Sequence, residues 1–317
     1  MKLSVIVPCY NEEEVLAETH ARLAAVLRAI TPTYEIIYVD DGSRDKTAEI
    51  LKGICDQDGN VRAIRLARNF GHQNALACGL AAVTGDAAVI IDADLQDPPE
   101  VIPEFVAKWR EGNEVVVGQR LERPQESIFK RATASVFYRL LNRLSDVPVH
   151  LDAGDFRLID RKVIDTLNAM PERYRLLRGM MSWIGFRQAV VPYKRAPRFA
   201  GATKYSLSKM FSLAFDGLFS FSTLPLRIMT LVGVAAFAVA MAGIAYAIVL
   251  RLTTSFWVPG WTLLIIAQLA LGGLNMLGLG VLGEYIGRIY GEAKQRPLFV
   301  VMETYPPKSP PAKGPSA

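Results

Sequence analysis

Apolar runs alternate with amphipathic stretches from Leu3 to Ile91. Leu3–Val7 (LSVIV), Glu35–Val39 (EIIYV), Val61–Leu66 and Ala87–Ile91 (AAVII) are short and rich in β-branched residues, the pattern of strands buried on both faces. Asn11–Ala29, Thr47–Cys55 and Gln73–Val83 lie between them with helical spacing. Glu12, Glu13 and Glu14 put acids in the first turn of the first helix, where the helix dipole favours them. This alternation predicts an α/β domain with a parallel sheet and right-handed crossovers. Such sheets bind ligands beyond the carboxyl ends of their strands. Polar clusters fall there: Tyr10-Asn11-Glu12, Asp40-Asp41 and Asp92–Asp97.

The pattern changes at Arg227. No charge separates it from Arg251, and Ile228–Leu250 exceeds the roughly 20 apolar residues that span a bilayer. A second uncharged run, Trp261–Gly283, follows Pro259-Gly260 and contains Gly272, Gly273, Gly278, Gly280 and Gly283, which suit close helix packing. The intervening loop carries Arg251 alone. Lys204, Lys209, Arg227, Arg288, Lys294 and Arg296 flank the pair, so the positive-inside rule places both termini in the cytoplasm. Trp257 and Trp261 suit the far interface. Leu207–Phe221 has large apolar residues at helical spacing and reads as an interfacial helix. The Pro/Lys/Ser-rich residues from Pro306 read as a disordered tail. The expected division is a cytoplasmic catalytic domain over 1–206, interfacial helices over 207–226, a membrane hairpin over 227–283, and a C-terminal helix and tail over 284–317.

Charge adds little to this picture. Lys and Arg number 36 against 31 acids, a net charge of +5 that suits an anionic membrane surface or phosphorylated substrates. No basic run with interleaved aromatics points to nucleic acid. Cys9, Cys55 and Cys78 are scattered and odd in number, which fits a reducing compartment rather than a disulfide framework. His20, His72 and His150 are equally scattered and do not have the spacing of a His-based zinc site. Leu3–Val7 is too short for the apolar region of a signal peptide and ends at Pro8.

The strongest chemical signal is Asp92-Ala93-Asp94-Leu95-Gln96, directly after an apolar strand. In extended backbone Asp92, Asp94 and Gln96 point the same way. A hard divalent cation takes one or two such carboxylates together with substrate phosphates. The alternative is a polar turn that caps the following helix. Asp40-Asp41-Gly42-Ser43 offers a carboxylate to a base or ribose, or is plain turn chemistry. Arg198 and Lys204, with Gly201 between them, can clamp phosphate charge, or form a solvated basic loop. The spacing of Asp152–Arg157 assigns it no role.

Val5-Ile6-Val7-Pro8-Cys9-Tyr10-Asn11-Glu12, Val39-Asp40-Asp41-Gly42-Ser43 and Asp92–Glu100 together resemble the family 2 glycosyltransferases. The resemblance extends through Gly154–Leu158, Met170–Arg173, Arg198–Lys204 and Gly283–Tyr290. It is to the polyprenyl-phosphate branch, similar to dolichol-phosphate mannose synthase, and most of all to the bactoprenol glucosyltransferases. It implies a GT-A-type (Rossmann-like) domain, an inverting mechanism and Mg²⁺ or Mn²⁺. Pro8, Tyr10, Glu12 and Asp41 would hold the nucleoside. Asp92 would contact the donor, and Asp94 with Gln96 would ligate the metal. Arg120 and Arg131 would meet the acceptor or sugar phosphates. Asp155 and Arg157 would line the acceptor side, and Arg198 and Lys204 would neutralise donor phosphates. Gly154-Asp155 stands where the mannosyl branch often has Ser-Gly, which favours UDP-glucose over GDP-mannose. The implied acceptor is polyprenyl (undecaprenyl) phosphate at the bacterial inner membrane, in cell-envelope glycan modification. Other donor sugars, a non-catalytic scaffold and a homo-oligomer stay open.

Overall fold

The protein was analysed as a computed structural model, which describes residues 1–121, 153–195, 223–253 and 260–306. These form two compact units. Residues 1–121, 153–195 and 296–306 belong to one, and 223–253 with 260–295 to the other.

The first unit is built on an eight-stranded sheet in the order β7-β5-β6-β4-β1-β2-β3-β8. The strands are β1 (Leu3–Cys9), β2 (Tyr34–Asp40), β3 (Val61–Leu66), β4 (Ala87–Ile90), β5 (Val115–Arg120), β6 (Ala153–Asp160), β7 (Gln188–Tyr193) and β8 (Val301–Tyr305). The helices are α1 (Leu16–Ile30), α2 (Thr47–Gln57), α3 (His72–Ala82), α4 (Ile102–Arg110), α5 (Arg161–Ala169) and α6 (Leu177–Ile184). All seven residues of β1 are buried. Because successive strand side chains take opposite faces, Leu3, Val5 and Val7 join Leu16, Leu23, Leu51 and Phe105 in one core layer. Ile6 joins Ala75, Leu76, Val163 and Met180 in the other. Helices α1, α2 and α4 thus cover one face, and α3, α5 and α6 the other. Each fully buried aliphatic side chain contributes about 1.5–3 kcal/mol.

Strands β1 to β4 pair in parallel, as their apolar runs predict. The rest of the sheet departs from the all-parallel expectation. Strand β6 lies between β4 and β5 and is antiparallel to both. Its sequence, AGDFRLID, carries charges that interrupt the apolar run. The first helix also begins later than expected, at Leu16. Asn11 takes a left-handed φ of 53°, which a right-handed helix does not accommodate. The Glu12 amide donates to Thr47 Oγ1 and the Glu13 carboxylate accepts from the Lys46 amide. Glu12–Glu14 therefore form a turn tied to the start of α2.

Strand β8 is a further departure, because it pairs antiparallel with β3. Tyr305 packs on the core and its carbonyl accepts from the Cys55 thiol. The segment 301–305 is thus part of the first unit's sheet, a strand that the helix and tail expected over 284–317 do not include.

The second unit contains α7 (Leu224–Thr253) and α8 (Trp261–Ala293). Pro225–Tyr246 and Ile266–Ala293 are long and apolar enough to cross a membrane, with mean hydropathies of 2.3 and 1.6, and their side chains are not buried within the chain. Leu231, Phe237, Val239 and Leu264 are all exposed. Helix α8 runs unbroken past Gly283, so the expected second span and the expected C-terminal helix are one continuous helix. The proposed interfacial helix Leu207–Phe221 lies outside the described residues.

Candidate active site

Strands β2 and β3 extend the sheet on one side of β1, and β4 lies on the other. The strand order therefore reverses between β1 and β4. A crevice opens beyond the carboxyl ends of strands at such a switch point. The loops after β1, β2 and β4 bring Tyr10–Glu12, Asp40–Asp41 and Asp92–Asp97 to that end.

Exposure alternates along the last of these. Ile91, Ala93, Leu95 and Asp97 are buried, while Asp92, Asp94 and Gln96 are half-exposed. The run is pinned by Thr19, whose hydroxyl donates to the Ala93 carbonyl at 2.7 Å. It is not a plain strand extension: Leu95 has a φ of 57° and the Gln96 amide donates to Asp94 Oδ1 at 3.1 Å. Burial pushes the Asp92 carboxyl up to about 6, with Asp155, Asp97 and Asp94 adding repulsion and His72 opposing it. Several acids thus crowd one point.

The cations that balance them come from elsewhere in the chain. His72, the first residue of α3, places Nε2 3.1 Å from Asp155 Oδ2 and 3.9 Å from Asp92 Oδ1. The ring is partly exposed, so loss of hydration disfavours its charge only in part, and Asp155 and Asp92 outweigh it and raise the imidazole to about 9. Arg178 on α6 donates to Asp155 Oδ1 at 2.7 Å. Asp155 is buried, which alone would raise its carboxyl. Arg178 and His72 win and hold it well below the usual range. Spacing gave no hint of His72 or Arg178, because only the sheet topology brings α3 and α6 to the same end.

Several of the expected site residues are buried. Arg157 is 3% exposed. Its guanidinium donates to the Gly154 and Asp155 carbonyls and touches Met181, so it supports Asp155 from within rather than lining the crevice. Burial pushes it down to about 10. Asp41 is buried too, and its two oxygens accept the Phe70 and Gly71 amides at 2.7 and 2.9 Å. It orients the loop that begins α3. Asp40 Oδ1 accepts the Ser43 amide, while its buried Oδ2 has no hydrogen-bond partner among the described residues and lies 3.5 Å from Arg65 Nε. Pro8 is buried in β1 beside Val39. Tyr10 and Glu12 are half-buried at the strand's exit. Arg120, at the end of β5, reaches Tyr193 and Asp97. Arg131, Arg198 and Lys204 lie outside the described residues.

Among the described residues no group of three or more His, Cys, Asp and Glu gathers in metal-ligating geometry. Asp94 and Gln96 are half-exposed, and their side-chain oxygens are of the kind a hard cation takes when its remaining ligands are substrate phosphates and water.

A parallel α/β core with an acidic cluster beyond its strand ends is an architecture that many nucleotide-binding enzymes share. The family model "Glycosyl transferase family 2" matches residues 4–167. Bacillus subtilis YkcC, described as an uncharacterized glycosyltransferase, is 45% identical over 305 residues, 96% of this chain and 94% of that protein. The prophage bactoprenol glucosyl transferase homolog of Escherichia coli is 40% identical, covering 95% of this chain and 98% of its own. The bactoprenol glucosyl transferase of Shigella phage SfII is 39% identical, covering 96% and 99%. The chain belongs to glycosyltransferase family 2, and its first unit is a GT-A-type domain.

Proposed function

We propose that this enzyme transfers glucose from UDP-glucose to polyprenyl phosphate at the cytoplasmic face of the bacterial inner membrane, with inversion. The observation that carries this reading is the 39–40% identity to bactoprenol glucosyl transferases over almost the entire chain, both long apolar helices included.

The chemistry of the site agrees. A phosphate monoester has a second pKa of about 6, so the acceptor arrives largely ionised at neutral pH. It needs alignment and charge screening more than a general base. Asp94 with Gln96 would hold Mg²⁺ or Mn²⁺, which when bound supplies positive charge to the departing diphosphate. Asp92 is assigned to the donor sugar, Arg120 to the acceptor phosphate, and the half-buried Tyr10 and Glu12 to the nucleoside. Asp155 keeps Arg178 and His72 at the rim of the crevice. A retaining route would need a protein nucleophile at the anomeric carbon. Asp92 and Asp94 are committed to donor and metal in this scheme, so direct attack by the ionised acceptor is the simpler path.

The test is incubation of the membrane-embedded enzyme with polyprenyl phosphate and a panel of nucleotide sugars, then mass analysis and anomeric NMR of the lipid. The expected product is β-linked glucosyl phospholipid from α-linked UDP-glucose. An α-linked product would overturn the single displacement. Preference for another sugar would overturn the donor assignment.

Topology follows the same reading. Pairing of β8 with β3 puts the chain beyond α8 in the same folded unit as β1. That supports an even number of crossings between residues 223 and 295. A reporter fused after Lys294 is expected to read cytoplasmic, and one inserted at Thr254 to read on the opposite side. The same side for both would rule out a two-span hairpin.

A further inference from the structure

Strands β5 and β7 pair in parallel with Arg120 directly opposite Tyr193. The Leu121 amide donates to the Tyr193 carbonyl, which fixes the register at this end. Tyr193 is 3% exposed. Its ring stands edge-on to Phe156, which packs on Phe105 with ring centroids 4.6 Å apart. The phenol is therefore immobilised by packing before any polar contact is made.

Its hydroxyl joins two charged groups. It donates to Asp97 Oδ1 and accepts from Arg120 Nε at 3.2 Å. Asp97 Oδ1 also lies 3.6 Å from the Arg120 guanidinium and 3.9 Å from Arg195 Nε. Asp97 is 1% exposed, and its second oxygen is buried with no hydrogen-bond partner among the described residues. Such a carboxylate is costly to bury unless nearby cations compensate. Two glycines leave room for the arrangement. A Cβ at Gly118 would lie 2.9 Å from the Tyr193 ring, and one at Gly154 would lie 2.8 Å from the Arg120 guanidinium. Arg120 thus lies flat against the backbone of β6, with its side chain still a quarter exposed.

We propose that Tyr193 is a positioning residue that, gripped by Asp97, holds the Arg120 guanidinium in one orientation toward the acceptor phosphate. The role given to Arg120 rests on the proposed function. The orientation itself rests on the geometry above. Of a guanidinium's five N–H donors, Nε–H is taken by the phenol and Nη2 lies 3.6 Å from Asp97 Oδ1, which leaves Nη1 and the outer N–H of Nη2 to meet a phosphate. Two N–H donors held in a fixed plane suit bidentate contact with phosphate oxygens.

The test uses the full-length enzyme in lipid nanodiscs. Initial rates are measured against polyprenyl phosphate and UDP-glucose for wild type, Tyr193→Phe, Arg120→Ala and the double variant. Tyr193→Phe is expected to lower kcat/KM for the lipid phosphate by about tenfold, the scale of one lost hydrogen bond to a charged group. KM for UDP-glucose should stay unchanged. In the Arg120→Ala background the tyrosine substitution should cost nothing further, since it acts through Arg120. Asp97→Asn should show the same split and serves if the phenylalanine variant fails to fold. A loss that persists in full without Arg120, or that falls equally on both substrates, overturns the proposal.

A readout independent of turnover separates this proposal from the choice of substrates. Phenylglyoxal labelling of Arg120, followed by peptide mass, should speed up in Tyr193→Phe while Arg22 labels at its wild-type rate. Unchanged Arg120 labelling overturns the positioning role. Faster labelling in an enzyme inert toward these two substrates sustains it and overturns the substrate assignment instead.

Discussion

Asp94→Asn is expected to remove most transferase turnover and leave the fold intact. Asp94 is half-exposed, and in the protein itself its Oδ1 accepts the Gln96 amide. Asparagine keeps an oxygen for that bond, so the turn at Leu95 survives. What it loses is the negative charge that a divalent cation needs beside a diphosphate. Removing one preorganised electrostatic partner from a reaction of this kind costs about 10²–10³ in rate. A chelator should reproduce the loss in wild type, and added Mg²⁺ or Mn²⁺ should restore it there but not in the variant. Circular dichroism would confirm that the variant is folded. Full activity of wild type in metal-free buffer would contradict the metal assignment of Asp94 and Gln96.

The sequence made one half of the molecule easier to read than the other, for physical reasons. Strands enclosed on both faces carry continuous apolar runs, so Leu3–Val7 and Ala87–Ile91 announce themselves, and β1 and β4 lie within two residues of those bounds. Strand β6 does not, because it carries Asp155 and Arg157 among its apolar residues. Strand β8 is short and sits at the sheet edge with Val301 and Met302 exposed, so its weak pattern was lost between a helix and a polar tail. The helix start failed at Asn11, where contacts with Ser43 and Arg44, distant in sequence, override local propensity.

The site divides in the same way. Asp92, Asp94 and Gln96 can be proposed from the sequence because they sit together after one strand. His72, Arg178 and Tyr193 cannot, because each acquires its meaning from an acid on another element. Burial was equally invisible. Asp41 and Arg157 have residue types that suit ligand contact, yet each spends its hydrogen-bonding atoms on neighbouring backbone. The crevice is best described as two tiers. The exposed tier is Asp92, Asp94 and Gln96, and beneath it buried charges hold that tier's neighbours in place.

Asp155→Ala should show how much stability the buried tier carries. Asp155 is buried against Arg178, His72 and Arg157, whose guanidinium lies 3.9 Å from its carboxylate. Deleting the carboxylate leaves the fully enclosed Arg157 with less compensation and strips Arg178 of its short contact. Breaking a buried charge pair from one side costs about 3–5 kcal/mol, and solvent screening of the partly exposed Arg178 and His72 puts this case toward the lower end. In a domain of this size that corresponds to a fall in thermal midpoint on the order of 10 °C. Asp155→Asn keeps the hydrogen-bonding shape and should lose less. The effect should depend on pH in a definite sense. Asp155 has a depressed carboxyl, so its contribution is present above the ordinary carboxylate value of about 3.9 and fades as acid approaches the folded value. His72 is raised, so its part is complete below about 6.5 and is lost as pH climbs through about 9. The gap between wild type and Asp155→Ala should therefore be widest between about pH 4 and 6.5 and narrow toward both sides. Melting curves of the two proteins across that range would measure it. Equal midpoints throughout would mean that Asp155 is not structural. Its sequence-based place on the acceptor side would then stand on activity alone, and an inactive but fully stable Asp155→Asn would be its signature.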